Sequence, residues 1–155
     1  VHCDTGPRDD VLDSVTVTGV VGAPPEQVFD LLLDSRNDEQ WCPLASDYEL
    51  VEGTAGVGAV YRFRQWAGPG RRTTMHMRTT AADRPHHLAW DEGGFSGPGY
   101  RSTMDLEPVA GGRTRVRHTN SVGSDHPLEQ LAWFLGAQVV LRLQLRNLDR
   151  LLRTR

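Results

Sequence analysis

Hydrophobic and polar positions change period three times along this chain, and each change marks a predicted element. Residues 15–20, Val-Thr-Val-Thr-Gly-Val, alternate at period two and are rich in β-branched side chains, which predicts a strand. Ala23-Pro24-Pro25-Glu26 then breaks the strand and opens a helix, with proline where a first turn tolerates a missing N–H. Val28, Phe29, Leu32 and Leu33 give that helix an apolar face, and it ends near Asp34-Ser35. A further short helical turn is predicted over 37–41, closed by Pro43. From Tyr48 the period returns to two, predicting strands over 48–52, 59–66, 72–82, 87–92, 100–108 and 113–122. Glycine-rich turns at 53–56 and 68–70 and a loop at 93–99 separate them, and Gly111-Gly112 is a two-residue hairpin signal.

The last segment, residues 126–153, is helical in period, with Asp125 as its predicted N-cap and Pro127 in its first turn. It carries two apolar stripes. Leu128, Leu131, Ala132, Leu135, Val139 and Leu145 form one, and Trp133, Ala137, Val140, Leu148 and Leu151 form the other. A helix apolar on two faces is expected to be covered twice, by its own sheet and by a pocket, another helix or a second subunit. A homodimer is thus left open, with Trp133 and Leu151 as its contacts if they are exposed.

The length of 155 residues fits one domain, expected over 14–155, behind a loose polar tail at 1–13. No apolar run approaches the roughly 20 residues of a membrane span, and the first residues lack a basic-then-apolar leader pattern, so a cytoplasmic protein is expected. Cys3 and Cys42 are too few and too far apart to suggest a disulfide framework, and Cys42 reads as a small hydrophobe. All 17 basic residues are arginine, and isoleucine is absent too, which fits a high-GC coding bias and a bacterial source. A net charge of -3 argues against a general nucleic-acid binder. The arginines alternate along strands as outward residues, the pattern of a solvated face.

One strand, two short helices, a meander of six antiparallel strands and a closing helix make an α+β domain. Several local motifs then occur in a telling order. Ala23-Pro24-Pro25-Glu26-Gln27-Val28-Phe29 follows the first strand, and Asn37, Trp41 and Pro43 come next. Gly56-Val57-Gly58-Ala59 precedes a strand, Arg84-Pro85 precedes His87-Leu88-Ala89-Trp90, and Gly112-Arg113-Thr114-Arg115-Val116 opens the last strand. Together, over roughly residues 15–153, these resemble the START/Bet v 1-like (SRPBCC) superfamily, in particular its bacterial polyketide cyclase/dehydrase and lipid-transport branch. The resemblance implies a helix-grip fold: a curved antiparallel sheet of about seven strands wrapped around a long C-terminal helix, with a deep apolar cavity between them. It implies no single activity, because members include cyclases, carriers, chaperone activators and resistance proteins.

Strand alternation names the side chains expected to face that cavity. They are Tyr61, Phe63 and Gln65; Met75 and Met77; Leu88, Trp90 and Glu92; Tyr100, Ser102, Met104 and Leu106; and Val116, His118, Asn120 and Val122. From the last helix, Leu135 and Val139 are the expected ligand contacts. Aromatic and methionine walls bearing a few polar groups suit an aromatic, oxygenated small molecule better than a dry core.

Cyclisation with dehydration would need a base, an acid near a carbonyl and a groove that folds the substrate. His118 is the candidate base, Glu92 its partner or second base, and Tyr61 or Tyr100 the group that polarises a carbonyl. No cofactor is called for. His86-His87 makes no metal site, since neighbours on a strand face opposite ways, and Gly56-x-Gly58 precedes a strand, so it is no dinucleotide fingerprint. The leading expectation is a hydrophobic small-molecule carrier or cyclase/aromatase-like enzyme of bacterial secondary metabolism. One alternative is a self-resistance protein that sequesters, or is consumed by, a toxic metabolite such as an enediyne, with the glycines at 93–99 as radical donors. The other is a chaperone-activator-like module that binds protein.

Overall fold

Each predicted period produces its element, and the way they pair sets where the cavity lies. The computed structural model describes residues 14–94, 99–123 and 127–155. Strand β1 is Ser14–Val21, helix α1 is Pro25–Leu33, and a 3₁₀ turn spans Ser35–Gln40. Strands β2 (Ala45–Glu52), β3 (Val60–Trp66), β4 (Arg72–Asp83), β5 (His87–Gly94), β6 (Tyr100–Val109) and β7 (Arg113–Val122) follow, and helix α2, Pro127–Arg153, closes the chain. The expected tail at 1–13, the cap Asp125 and the loop residues 95–98 lie outside the described residues.

The seven strands form one antiparallel sheet in the order β1-β7-β6-β5-β4-β3-β2. Successive strands are neighbours except β1, which crosses over to pair with β7. The Gly111-Gly112 turn has both residues at positive φ, 83° and 64°, the geometry a two-residue hairpin asks of glycine. The outer face is polar and laced with exposed ion pairs, among them Arg101–Asp91 and Arg115–Glu107, both at 2.8 Å, and Arg62–Glu49. Such pairs stabilise little. They account for the alternating arginines.

The sheet curls around the C-terminal half of α2, giving the helix-grip arrangement. Leu141, Leu145, Leu148 and Leu152 are buried there, chiefly against β1. Gly19 makes the crossing close, because a Cβ at that position would sit 3.3 Å from Leu145 Cδ1. Polar contacts fix the same end: Gly22 N–H donates to Asp149 Oδ1 at 2.8 Å, and Asn147 Nδ2 donates to the Trp41 carbonyl at 3.2 Å. Helix α1 plugs the same end of the grip with Val28, Phe29, Leu31 and Leu32.

Two expectations change. The strand expected to stop at Glu92 continues, with Gly93 and Gly94 pairing with His76 and Met75, so these glycines belong to the sheet. The two stripes of α2 are not both covered. Leu128, Leu131, Leu135 and Val139 are exposed, the last two at 63% and 67%. Trp133 and Leu151, expected as dimer contacts if exposed, instead pack against the core. The bulkier Trp133-Phe134 pair and the leucines at 141, 145, 148 and 152 bury more apolar area, so they set the helix's rotation.

Candidate functional site

A cavity of about 450 Å³ opens between the sheet and the N-terminal half of α2, within the range of small-molecule sites. Its floor comes from strand register. Antiparallel pairing sets Met104 opposite His118, Ser102 opposite both Trp90 and Asn120, and Glu92 opposite Met77 and Tyr100. Alternation then turns all of these to the concave side. Phe63, Gln65 and Met75 extend the wall onto β3 and β4, and Tyr48 of β2 stacks on Phe63 with centroids 4.8 Å apart and planes 8° from parallel. The roof is α2, where Trp133, Ala137, Val140, Leu141 and Gln144 recur on one face.

Most of the expected site residues meet here. His118, Glu92, Phe63, Gln65, Met75, Met77, Trp90, Tyr100, Ser102, Met104 and Asn120 all line the cavity. Three do not. Tyr61 is inward-facing but wholly buried at the α1 end of the grip, so it does not reach the cavity as the proposed carbonyl-polarising group. Leu135 and Val139 point to solvent, because the helix presents Trp133 and Ala137 to the cavity instead.

Sequence reasoning missed one wall altogether. The 3₁₀ turn contributes Asp38, with Trp41 and Cys42 directly after it. A 3₁₀ turn eclipses positions three apart, so Asp38 and Trp41 stand on one side. The spacing was visible, but a single turn has no period to read. With Trp66, Trp90 and Trp133, all four tryptophans of the chain line the cavity.

The walls carry polar groups that the protein does not satisfy. Asp38 Oδ1, Trp41 Nε1, Trp90 Nε1, His118 Nδ1, Asn120 Oδ1 and Gln144 Oε1 are buried atoms without a hydrogen-bond partner. Asp38, Trp41, Trp90 and His118 are 4–6% exposed. Asn120 Nδ2 donates to Ser102 Oγ at 2.8 Å, and the Ser102 hydroxyl hydrogen-bonds the Glu92 carboxylate, so β5, β6 and β7 share one polar chain.

Burial sets the charge states. It pushes the Glu92 carboxyl up to about 7, opposed in part by the Ser102 hydrogen bond. It raises Asp38 well above the usual carboxylate range, helped by the neighbouring Glu92 charge and opposed in part by the Trp41 and Ser35 donors beside it, and it raises the Cys42 thiol and the Tyr48 phenol. Burial also lowers His118 to about 4, so its imidazole is neutral at pH 7 and a weak base. Glu92 is therefore better matched than His118 to accepting a proton near neutrality, and Asp38 beside it holds its proton. Outside the cavity, His87 Nδ1 lies 2.7 Å from Asp105 Oδ1 on the outer face of the sheet, away from His86 on the preceding turn.

A family described as polyketide cyclase/dehydrase and lipid transport matches residues 13–154. No curated protein matches the sequence significantly. Among solved structures, a protein from Arthrobacter aurescens is similar with a TM-score of 0.73 at 22% identity, over 96% of this chain and 91% of that one. Ara h 8.0201 is similar with a TM-score of 0.69 at 16% identity, over 92% and 98%. The di-domain ARO/CYC StfQ of the steffimycin biosynthetic pathway is similar with a TM-score of 0.67 at 17% identity, over 88% of this chain and 43% of StfQ. These likenesses show a shared fold.

Proposed function

Because the chain belongs to the polyketide cyclase/dehydrase and lipid-transport family, we propose that it binds a hydrophobic, aromatic, polyketide-type small molecule in the cavity under α2. One observation carries the proposal. A mostly apolar cavity has six unpartnered polar atoms on its walls, although buried polar groups are nearly always satisfied. A ligand with a few oxygen or nitrogen atoms on an aromatic frame supplies both the missing partners and the apolar contact. The fold is shared with StfQ, an ARO/CYC of the steffimycin biosynthetic pathway, which is in keeping with this reading.

Carriage asks only for these walls. Turnover would ask more. Glu92 would remove a proton from a carbon beside a substrate carbonyl, the resulting enolate carbon would bond to a second carbonyl carbon, and Asp38 would protonate the oxygen released there. The new C–C bond closes the ring, and loss of the resulting hydroxyl with a neighbouring proton as water would leave a double bond in it. The test is to titrate the protein with 1,8-dihydroxyanthraquinone by calorimetry, and separately to incubate it with a linear poly-β-ketone and analyse the products. Saturable binding of one molecule per chain with the ketone unchanged supports carriage, and a cyclised product supports turnover. Neither binding nor product would overturn the proposal.

A further inference from the structure

The cavity is lopsided in charge. Its titratable lining groups are Asp38, Cys42, Tyr48, Glu92, Tyr100 and His118, and among the described residues no arginine lines it. The chain has no lysine, and His118, lowered to about 4, is neutral near pH 7, so the described lining holds no cation at that pH. An anionic ligand such as a fatty acid or a phosphate ester would thus find hydrogen-bond donors but no cation to pair it. One buried and one partly buried carboxyl group without a cation are the opposite arrangement. Asp38 is 6% exposed, with Trp41 and Ser35 beside its carboxyl and its Oδ1 without a hydrogen bond, while among the described residues Glu92 is held by Ser102. Buried carboxylates normally have a cationic or multiply hydrogen-bonded partner.

The apolar part of the wall fits the same ligand. The indole rings of Trp41, Trp66, Trp90 and Trp133 and the stacked pair Tyr48–Phe63 surround the space. Aromatic faces attract cations through their quadrupoles, and most strongly where water is excluded. Aromatic rings around a carboxylate make a site for an ammonium group carried on a hydrophobic body.

Building on the ligand-binding reading above, we propose that the natural ligand is a hydrophobic aromatic molecule bearing a protonated or quaternary amine, with Glu92 as its counter-ion and Asp38 as a second polar anchor. The cavity then rejects carboxylates of the same size. A ligand amine seated on Glu92 also occupies the one well-matched base, so the proposal favours carriage over turnover.

Three probes on one naphthalene frame test it by calorimetry at pH 8: 2-naphthylmethyltrimethylammonium, 2-naphthylmethanol and 2-naphthoate. The ammonium is expected to bind about tenfold or more tighter than the alcohol, and the carboxylate weakest. In Glu92→Gln the ammonium preference over the alcohol should fall to about twofold or less. A second readout uses the unmodified protein. The ammonium is charged at every pH, so its affinity should rise as Glu92 ionises through about 7, and further wherever the raised Asp38 carboxyl ionises, while the alcohol shows no such rise. His118, at about 4, stays neutral across that range. An alcohol that binds as tightly as the ammonium, or an ammonium affinity flat with pH, overturns the charge preference and leaves the ligand-binding reading standing. Failure of all three probes to bind overturns both.

Discussion

Replacing Glu92 by Gln should stabilise this protein in alkali and leave it unchanged in acid. Burial holds the Glu92 carboxyl at about 7 against an ordinary 4.5. The folded state therefore keeps a proton that the unfolded chain gives up. Stability falls as pH rises from about 4.5, and the fall is complete above about 7. A shift of that size corresponds to about 3 kcal/mol, because each pKa unit is worth about 1.4 kcal/mol. Glutamine is neutral at every pH, nearly matches glutamate in volume and still offers an acceptor to the Ser102 hydroxyl. The gain of the variant should thus be near zero at pH 4, roughly half developed near pH 6 and about 3 kcal/mol at pH 8. Urea unfolding followed by tryptophan emission reads this directly, since all four indoles line the cavity beside the substituted residue. The denaturant slopes must agree between the two proteins for the comparison to hold. A gain that does not change with pH, or a variant less stable than its parent at pH 8, would refute the assignment of a buried, uncompensated carboxyl.

His118→Gln is the mirror case. Burial lowers the imidazole to about 4 from an ordinary 6.5, so the parent loses stability as pH falls between those values, and the variant should gain in acid and show no gain at pH 8 by the same unfolding assay. Ala137 lines the cavity from α2, so Ala137→Trp should fill it and abolish anthraquinone binding in calorimetry, with near-parent circular dichroism. Leu148 is wholly buried, and Leu148→Ala should cost about 2–5 kcal/mol in urea unfolding. Val139→Gln, on the exposed face of the same helix, should change stability by no more than about 0.5 kcal/mol. Gly136 lies mid-helix with open space where a Cβ would go, so Gly136→Ala should raise stability by about 0.5–1 kcal/mol.

What could be read in the sequence follows from what has a period. Strand alternation assigned Phe63, Met75, Trp90, Ser102, Met104, His118 and Asn120 to one face correctly, because one-residue register errors would have exposed whole apolar sets. It did not tell where along a strand the cavity stops, and Tyr61 has the right parity at the wrong depth. Depth depends on α1 filling one end of the grip, a tertiary fact with no local signature. The last helix failed for a different reason. Both of its stripes have the same spacing, so hydrophobicity alone could not decide between Leu135-Val139 and Trp133-Ala137. Asp38 and Trp41 were missed because a six-residue 3₁₀ turn is too short for periodicity to reveal a face.

The most direct single measurement is an NMR titration of the tryptophan indole N–H signals with 1,8-dihydroxyanthraquinone. The indole N–H of Trp90 has no partner in the protein and that of Trp41 faces the Asp38 carboxyl, so a ligand carbonyl that accepts from either should move its signal downfield. Saturable shifts of these two signals at one molecule per chain are the expected result. Unmoved indole signals at saturating ligand would contradict the cavity as the binding site.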